Sequence, residues 1–325
     1  MNILIVKTSS LGDIVHFLPA IEDARRVMTN LHIDWLVEEN FTTVAQWHPS
    51  VQQVFPVALR RWRKALFSKN TWQEAAQLKE LLQEQAYDMI IDAQGLVKSA
   101  YLSQQVKRYC GGEIYGYDKN SIREPFAARF YDHHLTIDYQ QHAITRNRLL
   151  MAESLSYALD DLILDYGIQA NAFIKPRFDL PETYIVCLHG TSKVGKEWPE
   201  AHWVQLIKRL AADGIHLLFP WGNAREEQRA LRLASHSDYA HCLPRCDLSE
   251  LAYIMQRAKA VIGMDTGLMH IAAALNKTGI GLYPMTQPAL TGLLTGGETN
   301  RMQNLSANEA QAVGDIADQL MAMMD

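Results

Sequence analysis

Residues 3–20 read ILIVKTSSLGDIVHFLPA: a short apolar run, a loop of small polar residues with one glycine, and an acid that opens an amphipathic segment. This pattern puts Asp13 at the mouth of a strand-to-helix turn. In open parallel α/β sheets ligands bind just outside the carboxyl ends of the strands, so an acid there is placed to meet a substrate. Asp is also a favoured N-cap residue, and spacing alone leaves both roles open.

Three further segments have the same strand–loop–helix character: DAQGLVKSA at 92–100, HGTSKVGKEWPEAHW at 189–203 and MDTGLMHIAAAL at 264–275. Gly190 to Lys196 match GxxxxGK, the phosphate loop of nucleotide hydrolases, but that loop continues with Ser or Thr to hold magnesium. Here Glu197, Trp198 and Pro199 follow and move the helix start downstream. The match is therefore set aside. Thr266 and Gly267 fall at a helix start, where unpaired N–H groups bind anions, and Asp265 beside them has a capping role available to it. Arg60-Arg61-Trp62-Arg63-Lys64 gathers four cations around one aromatic residue. Such a run is ordinarily a solvated face unless an anionic ligand gives it a task.

Together the four motifs, in this order, resemble the lipopolysaccharide heptosyltransferases. The resemblance runs from the first residues to beyond Pro288. It implies an α/β protein of the GT-B class, two doubly wound Rossmann-like domains facing across a cleft, that moves L-glycero-D-manno-heptose from ADP-heptose to a Kdo residue of Kdo2-lipid A with inversion. It implies Asp13 as general base and Lys196 as the cation that offsets charge on the departing ADP. Thr191, Ser192, Lys196, Glu226, Asp265, Thr266, Gly267 and His270 are carried over to the donor side, with Glu226 as the acid near the ribose. Ser10, Gly12, Arg60, Arg61, Arg63, Lys64, Lys98 and Arg123 are assigned to the acceptor side, and Trp62 and Phe67 to a membrane surface. No cofactor and no metal is implied, and no Asp-x-Asp motif occurs. The segment YPMTQP at 283–288 departs from the family's YGPTDP. A member acting on the second heptose or on another sugar nucleotide, and a nucleotide-binding protein without turnover, are the alternative readings.

The elements that must position these residues are legible as two rounds of alternation. Apolar runs at 3–6, 33–37, 51–57 and 89–91 read as strands and 14–27, 72–83 and 142–159 as helices, which implies a helix-covered parallel sheet. The pattern breaks around Pro176 and Pro181, then restarts with strands at 184–188, 215–219, 260–264 and 280–283 and helices at 201–212, 224–234 and 248–258. The expected division is 1–167, a linker at 168–182, and 183–325, with a last helix at 309–323 free to pack on the first domain. A length of 325 residues suits two domains. A net charge of −5 gives no basic face for nucleic acid. Four cysteines without a CxxC pair, no leader sequence and no run near the ~20 apolar residues of a membrane span point to a cytoplasmic protein, here expected to be a monomer on the inner membrane's cytoplasmic face.

Overall fold

The computed structural model describes residues 1–160, 162–191, 197–283, 285 and 288–324. They form two compact units, one of residues 1–162 and 166–169, the other of residues 163–165 and 170–325.

The first unit is a six-stranded sheet of β1 (Asn2–Val6), β2 (His32–Glu38), β3 (Val51–Val57), β4 (Met89–Asp92), β5 (Glu113–Tyr117) and β6 (His133–Leu135). All neighbours pair in parallel, in the order β3-β2-β1-β4-β5-β6. Central β1 is an unbroken apolar run because helices cover both of its faces, and Ile3, Leu4, Ile5 and Val6 are wholly buried. The long helical pattern after it is cut in two. One short helix spans Leu11–Val15, and Pro19 falls in the opening turn of the next, Leu18–Val27, where its missing N–H costs nothing. Asp23 of that helix accepts from Arg148 of the helix Ala143–Leu155 at 2.6 and 3.1 Å, a two-pronged ion pair shielded on the acidic side.

The second unit repeats the plan with β7 (Tyr184–Leu188), β8 (His216–Phe219), β9 (Ala240–Cys242), β10 (Ala260–Met264), β11 (Gly279–Tyr283) and β12 (Met302–Ser306). Its parallel order is β12-β11-β10-β7-β8-β9. Counted from each unit's own first strand, both sheets run 3-2-1-4-5-6, and the order reverses between strands one and four. Its core gathers Trp198, Trp203, Phe219, Ile262 and Leu282. The last helix, Val313–Ala322, joins this core through Ile316, Ala317 and Leu320. It packs within the second unit, against the helix Glu200–Ala211, because its apolar stripe completes the cover over β7, β10 and β11. The sequence had left it free to cross to the first domain.

Candidate active site

Each sheet leaves a crevice where its strand order reverses, outside the carboxyl ends of its first and fourth strands, and ligands of doubly wound folds bind there. In the first unit Val6 pairs with Asp92, so the loops that leave β1 and β4 emerge side by side. The β1 loop is held by Gln94, whose Oε1 accepts from the backbone N–H groups of Thr8 and Ser9 at 2.9 Å each. Beyond it Ser10 is the N-cap of the helix Leu11–Val15. Asp13 Oδ2 accepts from Ser10 N at 2.6 Å and from Ser10 Oγ at 2.9 Å, the reciprocal half of a capping box. The cap is real, and it uses one oxygen. Among the described residues every hydrogen bond to this half-buried carboxylate falls on Oδ2, which leaves Oδ1 for a ligand.

Beneath Asp13 lies a polar cluster that residue spacing did not single out. The Lys7 ammonium is buried; it donates to the Ala93 carbonyl at 2.7 Å and reaches Asn147 Oδ1 at 3.4 Å. Burial pulls its pKa below the ordinary lysine value, while the charges of Asp13 and Asp92 pull the other way. Asp92 is also buried. Its Oδ1 accepts from the N–H groups of Gln94 and Gly95 at 3.0 and 3.2 Å, and its Oδ2 from Tyr131 and Ser99 hydroxyls at 2.8 and 2.9 Å. Desolvation outweighs these donors and pushes its pKa up to about 6. The DAQG segment named this loop, but only the fold reveals that Lys7, Asp92 and Gln94 form its floor.

The other acceptor-side candidates reach the same carboxyl edge by separate routes. Glu38, the last residue of β2, donates its N–H to the Thr8 carbonyl at 3.1 Å, and its Oε1 accepts from Arg60 N at 3.0 Å. This bond ties the basic segment to the β1 loop. The four cations are not alike, however. Arg61 is spent on Glu39 and Glu74, at 2.9 Å each. Trp62 turns inward, half-buried, and donates Nε1 to Glu74 at 2.7 Å, so it is not the membrane-facing aromatic expected from the sequence. Arg60, Arg63 and Lys64 stay exposed. Lys98 and Arg123 are exposed on neighbouring segments joined by the bond from Val97 N to Glu124 Oε2, 2.8 Å.

In the second unit Leu188 of β7 pairs with Gly263 of β10, and the two motifs leave these strands together. His189 is buried, with Nε2 3.1 Å from the Pro220 carbonyl. Burial and the nearby Arg229 guanidinium hold its pKa down to about 4, so at neutral pH the ring is uncharged and the carbonyl assigns the proton to Nε2. Gly190 lets the Glu226 side chain come close: a Cβ there would sit 2.8 Å from the Glu226 carboxyl carbon, which would have to shift. Glu226 therefore lies flat against the loop that carries Thr191, with Oε2 accepting from Gly222 N at 2.8 Å. The helix after this loop starts at Glu200, capped by Pro199, with buried Trp198 donating to the Ala310 carbonyl at 2.7 Å. Among the described residues the first helix after the GxxxxGK match is this one, four residues past its lysine. Ser192 and Lys196 lie outside the described residues, as do Pro284, Thr286 and Gln287 of the variant donor-side loop.

Across the crevice Thr266 occupies the N-cap position of the helix Gly267–Ala274 without a side-chain cap bond, which puts a helix start beside Asp265, with His270 buried one turn on. The shielded polar atoms that meet no partner among the described residues include three here: His189 Nδ1, Thr266 Oγ1 and Tyr283 Oη. They stand at the carboxyl ends of β7, β10 and β11. Burial, then the charge of Asp265, pushes the Tyr283 phenol well above its ordinary pKa, so it remains a donor. A crevice lined by a helix start, hydroxyls and a carboxylate suits a nucleotide, whose diphosphate needs donors and whose ribose needs an acceptor.

Comparison with known proteins agrees with this chemistry. Residues 75–320 match the model of glycosyltransferase family 9 (heptosyltransferase). The lipopolysaccharide heptosyltransferase 1 of Escherichia coli strain K12 is 45% identical over 292 residues, covering 90% of each chain. The solved structure of the E. coli heptosyltransferase WaaC with ADP superposes with a TM-score of 0.88 at 42% identity, over 98% of this chain and 100% of that one. The same enzyme with ADP-2-deoxy-2-fluoro heptose gives 0.86 at 41% identity over 99% of both. Family model, full-length identity and shared two-sheet GT-B architecture agree: this chain belongs to glycosyltransferase family 9, the heptosyltransferases.

Proposed function

We propose that the protein transfers L-glycero-D-manno-heptose from ADP-heptose to a Kdo residue of Kdo2-lipid A, at the cytoplasmic face of the inner membrane and with inversion at the anomeric carbon. The observation that carries this reading is the placement of acid and anion-binding motifs at the two order-reversal points of a chain so similar to heptosyltransferase 1. Asp13 Oδ1 takes the proton of the acceptor hydroxyl as that oxygen bonds to the anomeric carbon. The bond from that carbon to the ADP oxygen breaks on the opposite face. Oδ2, held by Ser10, keeps the carboxylate aimed. A carboxylate is a weak base toward a sugar hydroxyl and takes this proton as bond formation acidifies it, so the two events are concerted.

Charge arriving on ADP is met by Thr191, by the helix start at Thr266 and Gly267, and by Ser192 and Lys196. Glu226 accepts the ribose hydroxyls, and His270 and Asp265 complete the donor pocket. Ser10, Gly12, Arg60, Arg63, Lys64, Lys98 and Arg123 receive the carboxylates and phosphates of the acceptor. The deciding experiment incubates the protein with ADP-heptose and Kdo2-lipid A and weighs the acceptor by mass spectrometry, with UDP-sugars as controls. Gain of one heptose from the ADP donor alone is expected. No gain, or equal use of UDP-sugars, overturns the reading.

A further inference from the structure

We propose that the turn at residues 66–72 seats the protein on an anionic bilayer, an inference that rests on the lipid-linked acceptor of the reading above and assigns the contact to a specific element. Phe67 is fully exposed at 102%, Leu66 at 54% and Trp72 at 67%. Isolated apolar residues on a surface mean little, but a contiguous patch marks a surface that something else covers. These three are held together. Trp72 Nε1 donates to the Leu66 carbonyl at 2.8 Å, Thr71 Oγ1 to the Ala65 carbonyl at 2.9 Å, and Ser68 N to the Ala65 carbonyl at 3.0 Å. The turn is thus built against the first turn of the helix Lys69–Gln83, and its side chains point out from an ordered backbone.

The occupant follows from the charges around the patch. Arg60, Arg63, Lys64 and Lys69 are all exposed on the flanking residues, with no acid between positions 60 and 73. Apolar tips ringed by cations match the boundary between lipid chains and anionic headgroups, where Trp sits with its ring apolar and its N–H end polar. A second copy of this chain would bring the same cations face to face, so self-association is disfavoured by charge. Arg61 and Trp62, both bonded to Glu74, brace the base of the turn rather than belonging to its tip. No helix among the described residues is long and apolar enough to cross a membrane.

The test is flotation of the full-length protein with vesicles of phosphatidylglycerol and phosphatidylethanolamine, and with phosphatidylcholine vesicles, for the wild type, Leu66→Ser/Phe67→Ser and Phe67→Trp. The inference expects preference for the anionic vesicles, at least a tenfold loss of binding in the double variant, and binding kept by Phe67→Trp. Turnover of a soluble Kdo acceptor without lipid chains should be unchanged in the double variant, while KM for vesicle-embedded Kdo2-lipid A should rise. Vesicle binding of the double variant equal to wild type overturns the inference. So does light scattering that shows a wild-type dimer lost in the variant, because the patch then covers itself. Wild type that transfers heptose to both acceptors but floats with neither vesicle also overturns the inference and leaves the heptosyl reading intact. Transfer to neither acceptor overturns that reading, and flotation is scored independently of it.

Discussion

Replacing Asp13 by Asn separates its two duties. The amide is isosteric with the carboxylate, and its oxygen can occupy the Oδ2 position, accepting from Ser10 N and Ser10 Oγ at the 2.6 and 2.9 Å observed. The cap is then kept. What remains lost is the favourable charge at a helix start, about 0.3–1 kcal/mol at a half-buried site. The NH2 group is turned toward the acceptor, where it cannot take a proton. A positioned general base contributes about 100- to 10,000-fold, so turnover should fall at least ~100-fold, a barrier increase of about 2.7 kcal/mol. Asp13→Ala removes the cap as well and should cost about 1 kcal/mol of stability on top of the same loss of turnover. Steady-state kinetics with mass-spectrometric product detection, urea unfolding and calorimetric titration with ADP read turnover, cap and donor binding separately. Near-normal turnover in folded Asp13→Asn, or stability losses equal in the Asn and Ala variants, would refute the division of labour between the two oxygens.

Two further outcomes follow from the first unit. Asp92 has a folded pKa of about 6 against an ordinary 3.8, so the folded protein holds its proton more tightly than the unfolded chain. Its contribution is full below about pH 4 and declines as pH rises toward 6, by about 3 kcal/mol at most. Urea unfolding of wild type and Asp92→Asn should therefore show the wild type losing ground to the variant across that window, and a difference independent of pH would count against it. In the basic segment, Arg60→Ala/Arg63→Ala/Lys64→Ala should raise the acceptor KM, leave the donor KM alone and weaken the salt dependence, since screened attraction is what salt removes. Arg61→Ala should instead loosen the turn it braces and change the acceptor KM less. Equal effects of Arg61 and its neighbours would show that their different pairing is immaterial.

The strands that position both crevices were legible because they are buried on both faces. ILIV in β1 and YIVCL in β7 leave no polar residue to confuse the pattern. The strands that went unread carry weak signals: Glu113–Tyr117, EIYGY, opens on an exposed acid and contains a glycine, His133–Leu135 and Ala240–Cys242 have three residues each, and Met302–Ser306 buries only Met302 and Leu305. Their pairing is dictated by the sheet beside them, a tertiary fact that local pattern does not carry. The motif loops were visible for the opposite reason, since small residues and a capping acid interrupt apolar runs. Invisible from spacing were the floor of the first crevice, where Lys7, Asp92 and Gln94 meet across some 85 residues of chain, and the pairing that sets Arg61 apart from its basic neighbours. An ionisable residue inside an apolar context gives no hint of its partner until the chain is folded.

The bond from Trp198 to the Ala310 carbonyl joins the exit of the donor-side loop to a segment eight residues past the start of β12, the far edge of the sheet. It imposes an order of events during synthesis. The first unit has all of its strands once residue 135 has emerged and can fold while the rest is made. The second cannot anchor Trp198 until residues 302–322 are free, because β12 and the last helix supply both the acceptor of that bond and part of the core beneath it. A nascent chain would therefore complete the crevice at β1 and β4 while that at β7 and β10 is unfinished, and the proposed sugar-nucleotide recognition would be among the last properties the protein acquires.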